Sequence, residues 1–145
     1  MTEDYSADLA IDEEAALLAR LYVLGEKYHD DKFKNAIIDT IIAVAQPSVH
    51  EVKTRWFLTG PEIDIIYRGT CKGSPIRKLM VDMHFQAGKK EWITESSINN
   101  KDFLEELCAH LLQKIDGAAE VKKVSFLNCL YHTHEDGEIC EDAGE

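Results

Sequence analysis

Four residues near the C-terminal end carry the side chains best suited to chemistry. "CLYHTHEDGEIC", residues 129–140, offers Cys129, His132, His134 and Cys140, two thiols and two imidazoles. This is the ligand set of a structural zinc site. In an extended stretch His132 and His134 project from the same side. Gly137 supplies a turn that returns Cys140 toward Cys129, and Glu135 and Asp136 can orient an imidazole from behind. Four protein ligands leave no open position for water, so such a zinc would be structural. The histidines stand one residue closer than common finger spacing, and the competing reading is an acidic tail with incidental ligands. A calcium loop does not fit, because histidines would fill its first and third positions and Ala143 its twelfth.

Other reactive side chains fall into ordinary patterns. Cys71 lies in a Thr-Cys-Lys-Gly turn where a lysine can favour the thiolate. A cysteine enzyme is therefore one rival reading, although the sequence assigns Cys71 no base, and rapid selective alkylation would mark it. His84 sits one position past an apolar stripe, where an ordinary hydrogen bond is expected. Cys108 and His110 are two apart on a helix and point in different directions. His50-Glu51 lacks a histidine at 54, and neither a Walker loop nor a G-x-S-x-G turn occurs. The expectation is a protein that is not an enzyme.

The charge balance narrows the partners. The net charge is -11 over 145 residues, but residues 1–15 and 135–145 each hold six acids and no base. Without those twelve, 15 acids face 16 bases, so the acidity belongs to the two ends. Acidic ends read as solvated tails. No basic stripe for a phosphate backbone is present, and only Lys122 and Lys123 would serve a zinc-stabilised nucleic-acid or chromatin module, the second rival. No apolar run approaches the ~20 residues of a membrane span. The acidic start "MTEDYSADLA" lacks the basic region of a secretion signal, and four cysteines do not make a disulfide scaffold. Nucleus or cytoplasm is expected, with reduced thiols.

The elements that must position these residues are helices. "DEEAALLARLYVLGEKYH" places Leu17, Leu21, Leu24 and Tyr28 on one face, with Asp12 as its cap. "DDKFKNAIIDTIIAVA" carries Phe33, Ile37, Ile41 and Val44, widened by Ile38, Ile42 and Ala45. Asp30 or Asp31 caps its start and Pro47 ends it. Ser48 and Glu51 form a capping-box pattern before a short helix with Val52, Trp56 and Phe57. Thr59-Gly60-Pro61-Glu62 starts a helix with Ile63, Ile66 and Tyr67. Gly73-Ser74-Pro75 starts another with Ile76, Leu79, Met80 and Met83, and Gly88 stops it. A polar connection, "KKEWITESSINN", leads to "KDFLEELCAHLLQKI". Asn99 or Asn100 caps that helix, and Leu104, Leu107, Cys108, Leu111 and Ile115 are expected inward. The sum is an all-α bundle of about six helices with a short irregular loop, possible seat of zinc, at its C-terminal end. Residues 1–11 read as an acidic tail, 12–118 as the helical domain, 119–140 as an irregular segment with the Cys/His cluster, and 141–145 as a second tail. Trp56 and Trp92 lie in loop-rich places and are the candidate partner contacts, with Phe57 more at home in the core.

Two stretches resemble a known family. "LYVLGEKYHDDKFKNAIIDTII" is similar to the closing helices of a BTB/POZ domain of fungal BTB proteins. "IDIIYRGTCKGSPIRKLMVD" resembles the segment that follows there, in which a Y-x-x-T turn precedes an S-P-x-R-x-L helix. The residues concerned are Tyr67, Thr70, Ser74, Pro75, Arg77 and Leu79, and the ending with Cys129, His132, His134 and Cys140 also looks like that of many such proteins. The likeness runs from about Leu17 to Cys140. The strand-rich front of a BTB domain, which carries the family's main dimerisation surface, is absent from the chain. The resemblance implies a protein-protein interaction module, akin to the helices with which adaptors contact a cullin-type ubiquitin ligase scaffold, or a self-associating one.

Overall fold

Why the apolar residues choose helices is visible in their order in the computed structural model, which describes residues 3–45, 58–94, 100–117 and 128–135. Among the described residues six helices follow one another: α1 (Glu3–Lys27), α2 (Asp31–Ala45), α3 (Gly60–Gly69), α4 (Pro75–Ala87), α5 (Lys90–Thr94) and α6 (Lys101–Gly117). A 3-10 turn, Asn128–Tyr131, comes last, and no strand occurs among the described residues. The all-α bundle expected from periodicity is the fold. The short helix expected around Val52, Trp56 and Phe57 lies outside the described residues, as do residues 118–127.

Helix α1 packs on α3 and α2, α3 on α4 and α6, and α4 on α6. The core joins Ile37, Ile38, Ile41 and Ile42 of α2, Ile63 and Ile66 of α3, and Ile76, Leu79, Met80 and Met83 of α4. Each set follows the spacing that one buried helical face requires. Start signals act as expected at two sites. The Asp30 carboxylate accepts the Phe33 N–H at 3.0 Å, and the Asn100 side-chain oxygen accepts the Phe103 N–H at 3.0 Å. Pro61 and Pro75 occupy the first turns of α3 and α4, where a missing N–H costs nothing.

Four expectations need correction. Helix α1 is helical from Glu3, well before the expected Asp12 cap. Its buried face is also a different one: Ala15, Leu18, Ala19 and Tyr22 are buried, while Leu17 is 53%, Leu24 45% and Tyr28 69% exposed. The leucine stripe and the alanine stripe have equally good helical spacing. Close approach decides between them, because small side chains let helices come together. At the far side of that contact a Cβ on Gly69 would lie 2.4 Å from Val23 Cγ1. Third, α6 buries Phe103 and Leu107 and half-buries Leu104, whereas Cys108, Leu111, Leu112 and Ile115 are exposed, Ile115 by 72%. Phe103 is drawn in by aromatic edges, with ring centroids 5.6 Å from Tyr67 and 4.8 Å from His84. Fourth, the polar connection contains α5, and Trp92 on it is half-buried against the His84 ring at 5.2 Å.

Candidate functional site

The C-terminal strap, Tyr131–His134, carries two of the four expected zinc ligands, His132 and His134. It is held by polar bonds to residues far back in the chain. Tyr131 is buried and donates its hydroxyl proton to Asp82 Oδ2 at 2.8 Å. Asp82, on α4, also accepts Lys78 Nζ at 2.8 Å and stands 3.8 Å from His110 Nε2. Burial first, and the carboxylate bond second, push the Tyr131 phenol well above its ordinary value, so it remains a proton donor. Next along, His132 Nε2 meets Asp39 Oδ1 of α2. Then the Asn35 amide donates to Thr133 O at 3.0 Å and accepts the Thr133 N–H at 2.8 Å, pairing with the strap as a neighbouring strand would. Three successive strap residues are thus fixed to α2 and α4.

Of the four expected zinc ligands, the structure brings two together. Cys129 Sγ lies 3.8 Å from His134 Nε2. Two ligands of one tetrahedral zinc, with bonds of about 2.3 Å to sulfur and about 2.0–2.1 Å to nitrogen, stand about 3.6 Å apart. The His132 ring is edge-on to that of His134 with centroids at 5.6 Å, but its Nε2 is turned to Asp39. Cys140 lies outside the described residues. Among the described residues no three His, Cys, Asp or Glu side chains converge as a metal-holding group.

The other sequence candidates sit as follows. Trp56 lies outside the described residues, and Trp92 takes part in internal packing through its edge contact with His84. Cys71 and Cys108 are exposed thiols. His84, expected at a boundary, is buried: Nδ1 is 2.8 Å from Met80 O, and Nε2 has no hydrogen-bond partner among the described residues. Burial lowers its pKa below the usual imidazole value, against a smaller opposing effect of the Met80 carbonyl. A shallow, open polar groove of about 330 Å³ runs between the α1–α2 turn and the strap, lined by residues including His29, Asp31, Lys32 and Glu135. His29, Lys32 and Glu135 are themselves exposed, so their charges stay in water's dielectric rather than converging in a closed cleft.

Sequence reasoning missed a second cluster. Arg77, buried, donates from Nε to Thr70 Oγ1 at 2.9 Å and from Nη2 to the carbonyls of Tyr67 and Thr70 at 2.8 and 2.6 Å. Its guanidinium lies 4.3 Å from the Tyr67 ring centroid, and the Tyr67 hydroxyl donates to Glu106 of α6. Arginine's fork of donors satisfies the carbonyls left open at the end of α3. Tyr67, Thr70 and Arg77 are among the residues that carry the family resemblance, and their physical task is to lock α3, α4 and α6 together. A lysine buried at 7% exposure does similar work at the α1–α2 junction. Lys34 Nζ meets Glu26 at 2.9 Å and Asp31 at 3.2 Å. Burial alone would lower its pKa, but these two bonds outweigh burial and hold it above the ordinary value.

Among the described residues, no helix is long and apolar enough to cross a membrane. The chain matches no protein-family model, no curated protein and no solved structure, so nothing in these comparisons identifies a BTB/POZ domain.

Proposed function

We propose that the protein is a non-enzymatic helical interaction module, of the kind that forms the C-terminal part of a BTB/POZ adaptor or scaffold. The observation that carries this reading is the pair Leu17 and Leu24 on the outside of α1 with Tyr28 just past its end, large apolar side chains left in solvent by a helix that buries Ala15, Leu18, Ala19 and Tyr22 on its other face. Contiguous exposed apolar side chains are what a protein-protein contact site offers. The partner is a protein: a cullin-type ubiquitin ligase scaffold, as the resemblance implies, or the chain itself. The test is titration of the purified chain with the N-terminal region of such a scaffold, alongside sedimentation of the chain alone. Association in either, abolished by Leu24→Glu without loss of helical signal, supports the reading. No association in both overturns it.

A structural zinc at the strap belongs to the same proposal. Cys129 and His134 are spaced for one ion, and Cys140 and His132 complete the ligand set expected from sequence. Asp39 behind His132 resembles the carboxylates that orient zinc-bound imidazoles. The ion would brace the strap against α2. About one equivalent of zinc in protein purified without added metal, lost in Cys129→Ser, is the expected result, and metal-free protein of unchanged stability contradicts it.

A further inference from the structure

We infer that His84 is a proton-operated release for α5: its neutral ring seats Trp92 on the bundle, and a proton at Nε2 sets Trp92 and α5 free. The device is independent of the interaction-module reading. Its tautomer is fixed by the structure. Nδ1 stands 2.8 Å from the Met80 carbonyl oxygen, which can only accept, so Nδ1 carries the proton and Nε2 is a bare lone pair. The side chain belongs to a residue 7% exposed, and Nε2 has no hydrogen-bond partner among the described residues. Two aromatic rings border it, Phe103 of α6 at 4.8 Å and Trp92 of α5 at 5.2 Å, both steeply inclined to the imidazole. A neutral ring suits such a place. An imidazolium does not, because its second N–H needs an acceptor.

No charged side chain among the described residues supplies that acceptor. On α4, Asp82 is turned to Lys78 and to Tyr131 of the 3-10 turn. On α6, Glu106 takes the Tyr67 hydroxyl of α3, and Asp102 beside Phe103 is exposed. On α5, Lys90 and Glu91 are exposed. The proton must therefore bring water in, and one wall is weaker than the other. Phe103 is sealed from water and is also set against Tyr67. Trp92 is half-buried, and the other four residues of α5 are exposed. A five-residue helix with one ring turned inward has little to lose on lifting away. Burial keeps the closed-state pKa below the ordinary value near 6.5, so the open state takes the proton first as pH falls. From about pH 6.5 down to the closed-state value, each pH unit multiplies the ratio of open to closed by up to about ten.

The test is acrylamide quenching of Trp92 fluorescence in the full chain carrying Trp56→Phe, from about pH 8 to about pH 4.5, with circular dichroism on the same samples. Quenching is expected to rise about twofold below about pH 6, reversibly, as the half-buried indole becomes open to water. The helical signal should fall by no more than the share of α5. His84→Phe keeps a ring between Phe103 and Trp92 but takes no proton, so its quenching should stay low and level throughout. Should that variant fail to fold, NMR of the unaltered chain decides, because the His84 imidazole and the Trp92 indole must change at the same pH. Quenching that is level with pH overturns the proposal. So does a rise that accompanies loss of the whole bundle's helical signal, a rise that persists in His84→Phe, or a Trp92 change at a pH where His84 does not titrate.

Discussion

The helical core and the C-terminal strap are held in opposite ways. In the core, Ile38, Ile42, Ile63, Ile66, Ile76 and Met80 are sealed from water, and no single contact matters as much as the volume they fill together. In the strap, apart from the Tyr131 ring, fixation comes from discrete polar pairs: Tyr131 with Asp82, His132 with Asp39, and Thr133 with Asn35. Apolar burial is non-directional and tolerates a choice of neighbours, whereas a hydrogen bond needs its own partner at its own angle. The core should therefore fail as a unit and the strap piece by piece.

Substitutions in the two regions test that contrast. The largest effect is expected from Ile66→Ala, which leaves a cavity where α3 meets its neighbours. Loss of about 2–5 kcal/mol by urea unfolding, with one transition for the whole bundle, is predicted. Gly69→Ala comes next. Its new Cβ would strike the stiff Val23 side chain, and a loss of about 1–3 kcal/mol is expected, largely relieved in the double variant with Val23→Ala.

Asn35→Ala addresses the strap. It removes both bonds to Thr133 and should cost about 1 kcal/mol, with faster amide exchange confined to residues near Thr133. Equal acceleration in α3 and α4 would erase the distinction between the two regions.

The smallest effect is one of pH. His84 is held neutral by burial, so its folded pKa lies below its unfolded value near 6.5. The unfolded chain then takes up the proton first as pH falls. Stability contributed by neutral His84 is intact above about pH 6.5 and declines below it, with a slope of at most about 1.4 kcal/mol per pH unit for one proton. His84→Phe should flatten that part of the profile, and an unchanged slope would place the titration elsewhere.

The same contrast explains what could be read from the sequence. The α2, α3 and α4 stripes were legible because local spacing and burial coincide there, and Asn100 and Pro75 announced their helices by chemistry that acts within one turn. The face of α1 was not legible, because its leucine and alanine rows share one period and close approaches to distant residues, Val23 to Gly69 and Gly25 to Phe33 and Lys34, separate them. In α6, Phe103 is recruited by Tyr67 and His84, neither of which is near it in sequence. The strap was legible as residue types alone. Cys129 and His134 are five apart and do meet, but His132 finds Asp39 and Thr133 finds Asn35 across separations of 93 and 98 residues, which no local pattern encodes. Cys140 lies outside the described residues.

The outer face of α1, with Leu17 and Leu24, is the proposed contact surface. Hydroxyl-radical footprinting of the chain at about 1 and about 200 µM tests it side chain by side chain. Labelling of Leu17 and Leu24 is expected to fall on concentration while that of Leu112 and Ile115, more open on α6, stays level. Unchanged labelling of Leu17 and Leu24, with protection appearing on α6 or at the groove beside the strap, would overturn the contact surface.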